Sequence, residues 1–442
     1  MNEPTIVTRR DFLRTSVLGA ALSWTVPVFI ERTFLTLNAE AADSALQTKT
    51  GRDNPILVVI QLAGGNDGLN ALVPFVDDAY YRVRPTIHIP SEKVLNINGT
   101  IGLNPVLAPL KSLYDAGHLS IIQGVGYPNP NRSHFRSTEI WQTASDSNQY
   151  VRTGWLGRYF DNCCSGKDPT AGVSVTGQLP QAFTAEEPVG LAYSGRSGFI
   201  RGGNDMEKQA FDELNGLTSD VSDAALVKSD HDIASGETIT QLSGPSESGM
   251  ATIEYLQRVA LDAQIGSDKI AETLKRVKAQ GAYPRTPVAN SLSVIARLIA
   301  GGMPTRVYYA SQGGYDTHNQ QENSHNRLLQ NLADALAAFC QDLQARGLFD
   351  RVLVMTFSEF GRRVAENASR GTDHGTAAPM FVCGGAVKPG LFGRQPSLDH
   401  LDEGDLIHTT DFRSVYGTIL DKWMQASAAK ILGKNFPAIG FV

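Results

Sequence analysis

Pro55 to Leu62 reads PILVVIQL and runs directly into AGGNDGLN, residues 63 to 70. An unbroken apolar run of this length, rich in Val and Ile and closed by a glycine-rich polar loop, reads as a strand buried on both faces of a parallel sheet. The pattern recurs: LSIIQGVG (119–126) leads to YPNPNRSHF, TRVYYA (305–310) to SQGGYDTHN, and RVLVMTF (351–357) to SEFGRR. A fifth run, PMFVCGG (379–385), follows GTDHG. Between the runs, SHFRSTEIWQTA (133–144), VANSLSVIARLIAGG (288–302) and SHNRLLQNLADALAAFCQDLQARG (324–347) space apolar residues three and four apart, as amphipathic helices do. This alternation predicts an α/β fold: a doubly wound, mostly parallel sheet flanked by helices. The middle breaks the pattern. From about Gly195 to Ser248 the chain is rich in Gly, Ser, Asp and Glu, and a helical stretch follows to about Lys278, so residues 165–285 are expected to form an insertion or cap.

The 442 residues carry a net charge of -6, which argues against a nucleic-acid partner, because phosphate affinity needs a concentrated basic face. Residues 1–41 read as a twin-arginine signal. Thr8-Arg9-Arg10-Asp11-Phe12-Leu13 precedes an apolar run from Thr15 to Ile30, and Ala39-Glu40-Ala41 offers a peptidase cleavage site. The apolar run is shorter than the roughly 20 residues of a bilayer span. The expected mature chain, 42–442, therefore has no membrane span and leaves the cytoplasm through the twin-arginine machinery, for a periplasmic or extracellular location. There are four Cys but no C-x-x-C pair, so neither a thiolate metal site nor a disulfide framework is expected.

In open α/β sheets ligands bind beyond the carboxyl ends of the strands. The residues there are a biased set: Asn66 and Asp67 after the first run, Ser133 and His134 after the second, Asp316 and His318 after the third, Glu359 after the fourth, and Asp373 and His374 before the fifth. Three of the nine His fall among them. Singly each has an ordinary reading. Gly64 to Gly68 suits a tight turn, Ser133 a helix cap, and Glu359 with Arg362 a structural ion pair. Together, hard carboxylates and imidazoles from several strand ends point to an oxygen and nitrogen site for Zn²⁺, Mn²⁺ or Mg²⁺.

The twin-arginine leader and the ordered segments GGNDGLN, PNPNRSHF, GGYDTH, SEFGR and GTDHG resemble the alkaline phosphatase and sulfatase superfamily. The resemblance is closer still to its exported branch, catalogued as domain of unknown function 1501, and it spans the chain after the leader. It implies an alkaline phosphatase-like fold and a hydrolase of phosphate or sulfate esters, with a small-molecule, glycan or lipid ester as substrate and one or two divalent ions, Zn, Mn or Mg. By position it makes Asp67 the first-strand ligand and Ser133 the nucleophile, and it gives one cation to Asp316, His318 and His374, with His325 a substitute for His318. Glu359 stands for the Asp of the superfamily's second ligand pair, while Phe360 replaces its His. His134 compensates for that loss, or the site is mononuclear. Asp373 binds metal or orients His374, and Arg136 or Arg132 orients the substrate anion. Ser133 to Ser137 lacks the sequence context of a sulfatase formylglycine. The alternative is a metal-binding or assembly protein that keeps the fold without catalysis.

Overall fold

The first strand, β1 (Ile56–Ala63), is the centre of the sheet because its side chains are apolar in both directions. Ile56, Val58, Ile60 and Leu62 enter one core layer, and Leu57 and Val59 enter the other. Burying each such side chain contributes roughly 1.5–3 kcal/mol. A one-residue slip would exchange the two sets, so the register is firmly specified. The computed structural model describes residues 55–163, 168–186, 189–193 and 263–442. The signal at 1–41 and residues 194–262 of the expected insertion lie outside them.

Among the described residues, eight further strands join β1 in a nine-stranded sheet. They are β2 (Leu119–Gly126), β3 (Gly172–Ser174), β4 (Leu191–Ala192), β5 (Val307–Gly313), β6 (Val352–Phe357), β7 (Ala378–Gly384), β8 (Gly390–Phe392) and β9 (Thr410–Asp411). The order is β8-β2-β7-β6-β1-β5-β3-β4, with β9 also paired to β2. Only β7 runs antiparallel to its neighbours β2 and β6; every other pair is parallel. The doubly wound, mostly parallel α/β expectation therefore holds. One part of the expected insertion does not: β3 and β4 come from 165–193 and extend the sheet. Strands of three and two residues are too short to show a period, which is why the sequence hid them.

One layer of helices comprises α2 (Ala108–Asp115), α5 (Pro287–Ala300) and α6 (Gln321–Ala345), and packs Leu110, Leu292, Ile295, Leu332 and Phe339 on the sheet. The opposite layer comprises α3 (His134–Thr143), α4 (Trp155–Cys163) and α7 (Phe412–Thr418), and contributes Trp141, Phe160, Phe412 and Tyr416. A single turn, α1 (Gly68–Ala71), follows β1 directly. Among the described residues no helix is long and apolar enough to cross a membrane.

This topology gathers one set of loops. The strands β1, β2, β5 and β6 run the same way, so their carboxyl ends share an edge, and the antiparallel β7 begins at that edge. The loops 64–67, 127–133, 314–320, 358–363 and 371–377 meet there.

Candidate metal centre

The loop after β1 turns through Gly64 at φ +122° and Gly65 at φ +83°, backbone that side-chain-bearing residues rarely adopt. A Cβ on Gly64 would lie 2.4 Å from the amide nitrogen of Asp316, and one on Gly65 2.5 Å from the ring of Phe360. The paired glycines thus let the β5 and β6 loops close on β1. The loops after β6 and before β7 join through the Arg362 and His374 bridge, with the Gly361 amide donating to Thr376 (2.7 Å) and the Arg363 amide to Asp373 (3.0 Å).

Three histidines converge at this junction. Nδ1 of His134 lies 2.8 Å from Glu359 Oε1, Nδ1 of His318 3.0 Å from Asp373 Oδ1, and Nδ1 of His374 2.8 Å from the Arg132 carbonyl oxygen. Carboxylate and carbonyl oxygens only accept, so each ring donates through Nδ1–H and, in its neutral form, keeps its lone pair on Nε2. Those lone pairs face a common point. His318 Nε2 is 2.9 Å from His374 Nε2. Asp316 Oδ1 lies 3.0 Å from His318 Nε2, 3.2 Å from His374 Nε2 and 3.6 Å from His134 Nε2. Nε2 of His134 is buried without a hydrogen-bond partner. His134, Asp316 and His374 each offer a donor atom within 4.8 Å of the others. Lone pairs held this close repel unless a proton or a cation lies between them, and the set fits a divalent ion with imidazole and carboxylate ligands, as Zn²⁺ or Mn²⁺ takes.

Arg362 organises the surroundings. Its wholly buried guanidinium donates through Nε to Gly65 O (2.8 Å), through Nη1 to Thr372 O (2.9 Å), and through Nη2 to Gly64 O, Tyr315 O (3.0 Å) and Asp316 Oδ1 (2.7 Å). One side chain therefore ties four loops together. Burial works to raise the Asp316 carboxyl, but the Arg362 guanidinium bonded to it outweighs that and holds it at about 2. Burial lowers the His374 imidazole below its ordinary value, which favours its neutral, ligating form.

The structure sorts the residues singled out from the sequence. His134, Asp316, His318 and His374 come together. Glu359 and Asp373 do not face the centre but stand behind it. Glu359 Oε1 also accepts from the Gly64 amide at 2.8 Å, so its carboxylate orients His134. Asp373 orients His318 and not His374, because the backbone bridge turns His374 towards Arg132. The alternative reading of Glu359 and Arg362 as an ion pair does not hold either, since Arg362 pairs with Asp316 and Glu359 with His134. Asp67 lies outside the cluster. Its buried carboxylate is held by Arg84 Nη1 at 2.9 and 2.7 Å and by Gln321 Nε2 at 2.6 Å. Ser133 is exposed at the head of α3, and its side chain makes no capping bond. Arg136 is engaged by Glu139 (2.7 Å), by carbonyls of the loop at Asp146–Gln149 and by the Tyr150 ring at 4.0 Å, and Arg132 by Asp405 and Glu403, so neither guanidinium is free for an anion. Phe360 packs its ring 4.9 Å from that of His134 and 4.7 Å from that of His374. Sequence reasoning missed Arg84, and it missed the role of Arg362; buried arginines in polar loops read as solvated ones.

His325, the substitute ligand, is fully buried with Nε2 2.9 Å from Asn66 Oδ1. Burial pushes its imidazole down to about 4, against the pull of Asp67. An unfolded imidazole takes its proton near 6.5, so between pH 6.5 and 4 the unfolded chain binds more protons than the folded one. The stability that His325 contributes as a neutral ring should therefore be lost as pH drops through that window, by roughly 3 kcal/mol. Urea midpoints at pH 7 and pH 4.5 measure this, and His325→Gln should remove most of the difference.

The model of the family described as "Protein of unknown function (DUF1501)" matches residues 121–436. No curated protein matches the chain in sequence. Among solved structures, the chain is similar to Ps i-CgsB in complex with k-i-k-neocarrahexaose, with 10% identity over 87% of this chain and 73% of that one, at a TM-score of 0.35. It is also similar to the zinc complex of the C-terminal periplasmic domain of EptC from Escherichia coli, with 10% identity over 76% and 75% of the chains and a TM-score of 0.30. A third likeness is to alkaline phosphatase from the Antarctic bacterium TAB5, with 10% identity over 76% and 92% and a TM-score of 0.30.

Proposed function

The chain belongs to the DUF1501 family, and we propose that it is an exported, metal-dependent hydrolase of phosphate or sulfate esters with Ser133 as nucleophile. The observation that carries the reading is the convergence of three Nε2 lone pairs on the Asp316 carboxylate. His134, Asp316, His318 and His374 would hold the ion, and Glu359, Asp373 and the Arg132 carbonyl would fix the rings. When bound, a divalent cation there supplies Lewis-acid polarisation and lowers the pKa of a nearby hydroxyl. Ser133 adjoins His134 at the head of the ten-residue α3, where the helix dipole favours an anion such as the ester group. Its hydroxyl is exposed and not engaged in capping, so it is available to attack phosphorus or sulfur. A cavity of about 130 Å³, lined by Tyr127, Pro130, Phe360, Ile407 and His408, adjoins the centre and offers a place for the alcohol part of the ester.

Phe360 favours a second reading. Its ring packs on two of the metal-site histidines, where a further ligand would stand in a two-ion centre, and a metal-binding protein without turnover would tolerate that. One experiment separates the two. Residues 42–442 are loaded with Zn²⁺ or Mn²⁺ and assayed on aryl phosphate and aryl sulfate esters, beside Ser133→Ala. The hydrolase reading expects turnover that falls at least about a hundredfold in the variant. Bound metal with no turnover supports the binding reading, and turnover unchanged by Ser133→Ala removes the serine from the mechanism.

A further inference from the structure

The hairpin Leu401–Leu406 contributes no residue to the metal cluster, yet it carries a carboxylate that stands behind two of the three histidines. Asp405 is wholly buried, two residues beyond Glu403 at φ +50° and next to Gly404 at φ +88°. Its Oδ2 accepts from Arg132 Nε at 2.6 Å and also contacts Arg132 Nη2; Glu403 takes the outer edge of the same guanidinium at 3.4 Å. The backbone carbonyl of Arg132 is the acceptor that fixes Nδ1–H of His374. The other oxygen of Asp405 lies 3.6 Å from Arg363 Nε and has no hydrogen-bond partner. Arg363 in turn holds the backbone of Asp373, whose side chain orients His318.

We infer that Asp405, acting through Arg132, is a positioning residue that sets the orientation and tautomer of His374 in the metal centre. The inference rests on the reading of that centre as a metal site. An exposed ion pair would fix little, because screening and side-chain entropy leave it close to neutral. Here one partner is fully buried and the guanidinium is held through two of its nitrogens, so the backbone at Arg132 has little freedom to turn its carbonyl away. Without that acceptor His374 is free to place its proton on Nε2, and a ring protonated there cannot ligate through that atom.

The test uses residues 42–442 with zinc titrated against a competing chelator, and nitrogen NMR of the histidine rings in the metal-free protein. Asp405→Ala is expected to weaken zinc ten- to a hundredfold, the range typical of partners behind a ligand, and to give His374 a mixed tautomer while His134, held by Glu359, keeps its own. Arg132→Gln, altered at a partly exposed side chain, should shift both readouts the same way and serves if Asp405→Ala does not fold. An Asp405→Ala protein that loses thermal stability but keeps its zinc affinity within twofold and its His374 tautomer would overturn the inference. So would Arg132→Gln with both readouts unmoved. Wild-type protein that takes up no zinc would instead refute the metal reading, and the His374 tautomer alone would then decide the role of Asp405.

Discussion

Metal-free protein titrated with Zn²⁺ or Mn²⁺ should take up one equivalent, and His374→Ala should lose it. His374 contributes a lone pair at the most crowded point of the cluster, 2.9 Å from His318 Nε2 and 3.2 Å from Asp316 Oδ1. Removing a ligand should exceed the roughly 10–100-fold loss that follows removal of a partner behind one, so at least about a hundredfold is expected. The same uptake should appear in thermal denaturation: metal at about a thousand times its dissociation constant stabilises the folded chain by about 4 kcal/mol, a gain that His374→Ala should forfeit. One equivalent is expected if the Phe360 ring, which offers no donor and packs against His134 and His374, excludes a second ion. Two equivalents by elemental analysis would show that it does not.

Arg84→Met should be the most destabilising single change away from the cluster, by about 3–5 kcal/mol, because it strands a buried carboxylate. Arg84 and Asp67 are both essentially inaccessible to solvent, with Nη1 2.7 Å from Oδ2. Burial works to raise the Asp67 carboxyl, and Arg84, followed by His325, more than reverses that. Arg84 also donates to the carbonyls of Val364 (2.8 Å) and Arg363 (2.9 Å), so its loss would leave acceptors unsatisfied in the loop that follows Arg362. Urea unfolding measures the effect. The double variant Arg84→Met with Asp67→Leu should recover part of the loss, since replacing a whole buried pair is far less damaging than halving it. No recovery would mean that the carbonyl contacts of Arg84, and not the stranded charge, dominate.

The strands were legible because β1, β2 and β6 are buried on both faces and so are written as unbroken apolar runs. That Asp316, His318 and His374 come together could be anticipated for a related reason: polar residues that immediately flank buried strands lie at the sheet edge where sites form. What the sequence concealed is pairing. Glu359 and Asp373 are of the right chemical type to ligate, and only the folded geometry turns them to receive Nδ1–H protons. Asp67 occupies a strand end just as Asp316 does, but a partner 17 residues later takes its charge. Nothing in the local sequence of Arg84, at the end of a short helix, marks it as that partner.

The central place of β1 also has a consequence for the order in which the chain can be built. Its two neighbours, β5 and β6, begin at Val307 and Val352, some 250 and 300 residues downstream. During synthesis β1 thus emerges with both edges bare and must wait for most of the polypeptide before either is covered by the neighbours it has in the folded sheet. Such distant pairing slows folding and leaves edges exposed to association in the meantime. A nascent chain halted before residue 352 would lack Arg362 as well, and the glycine loop behind β1 would have no guanidinium to close around.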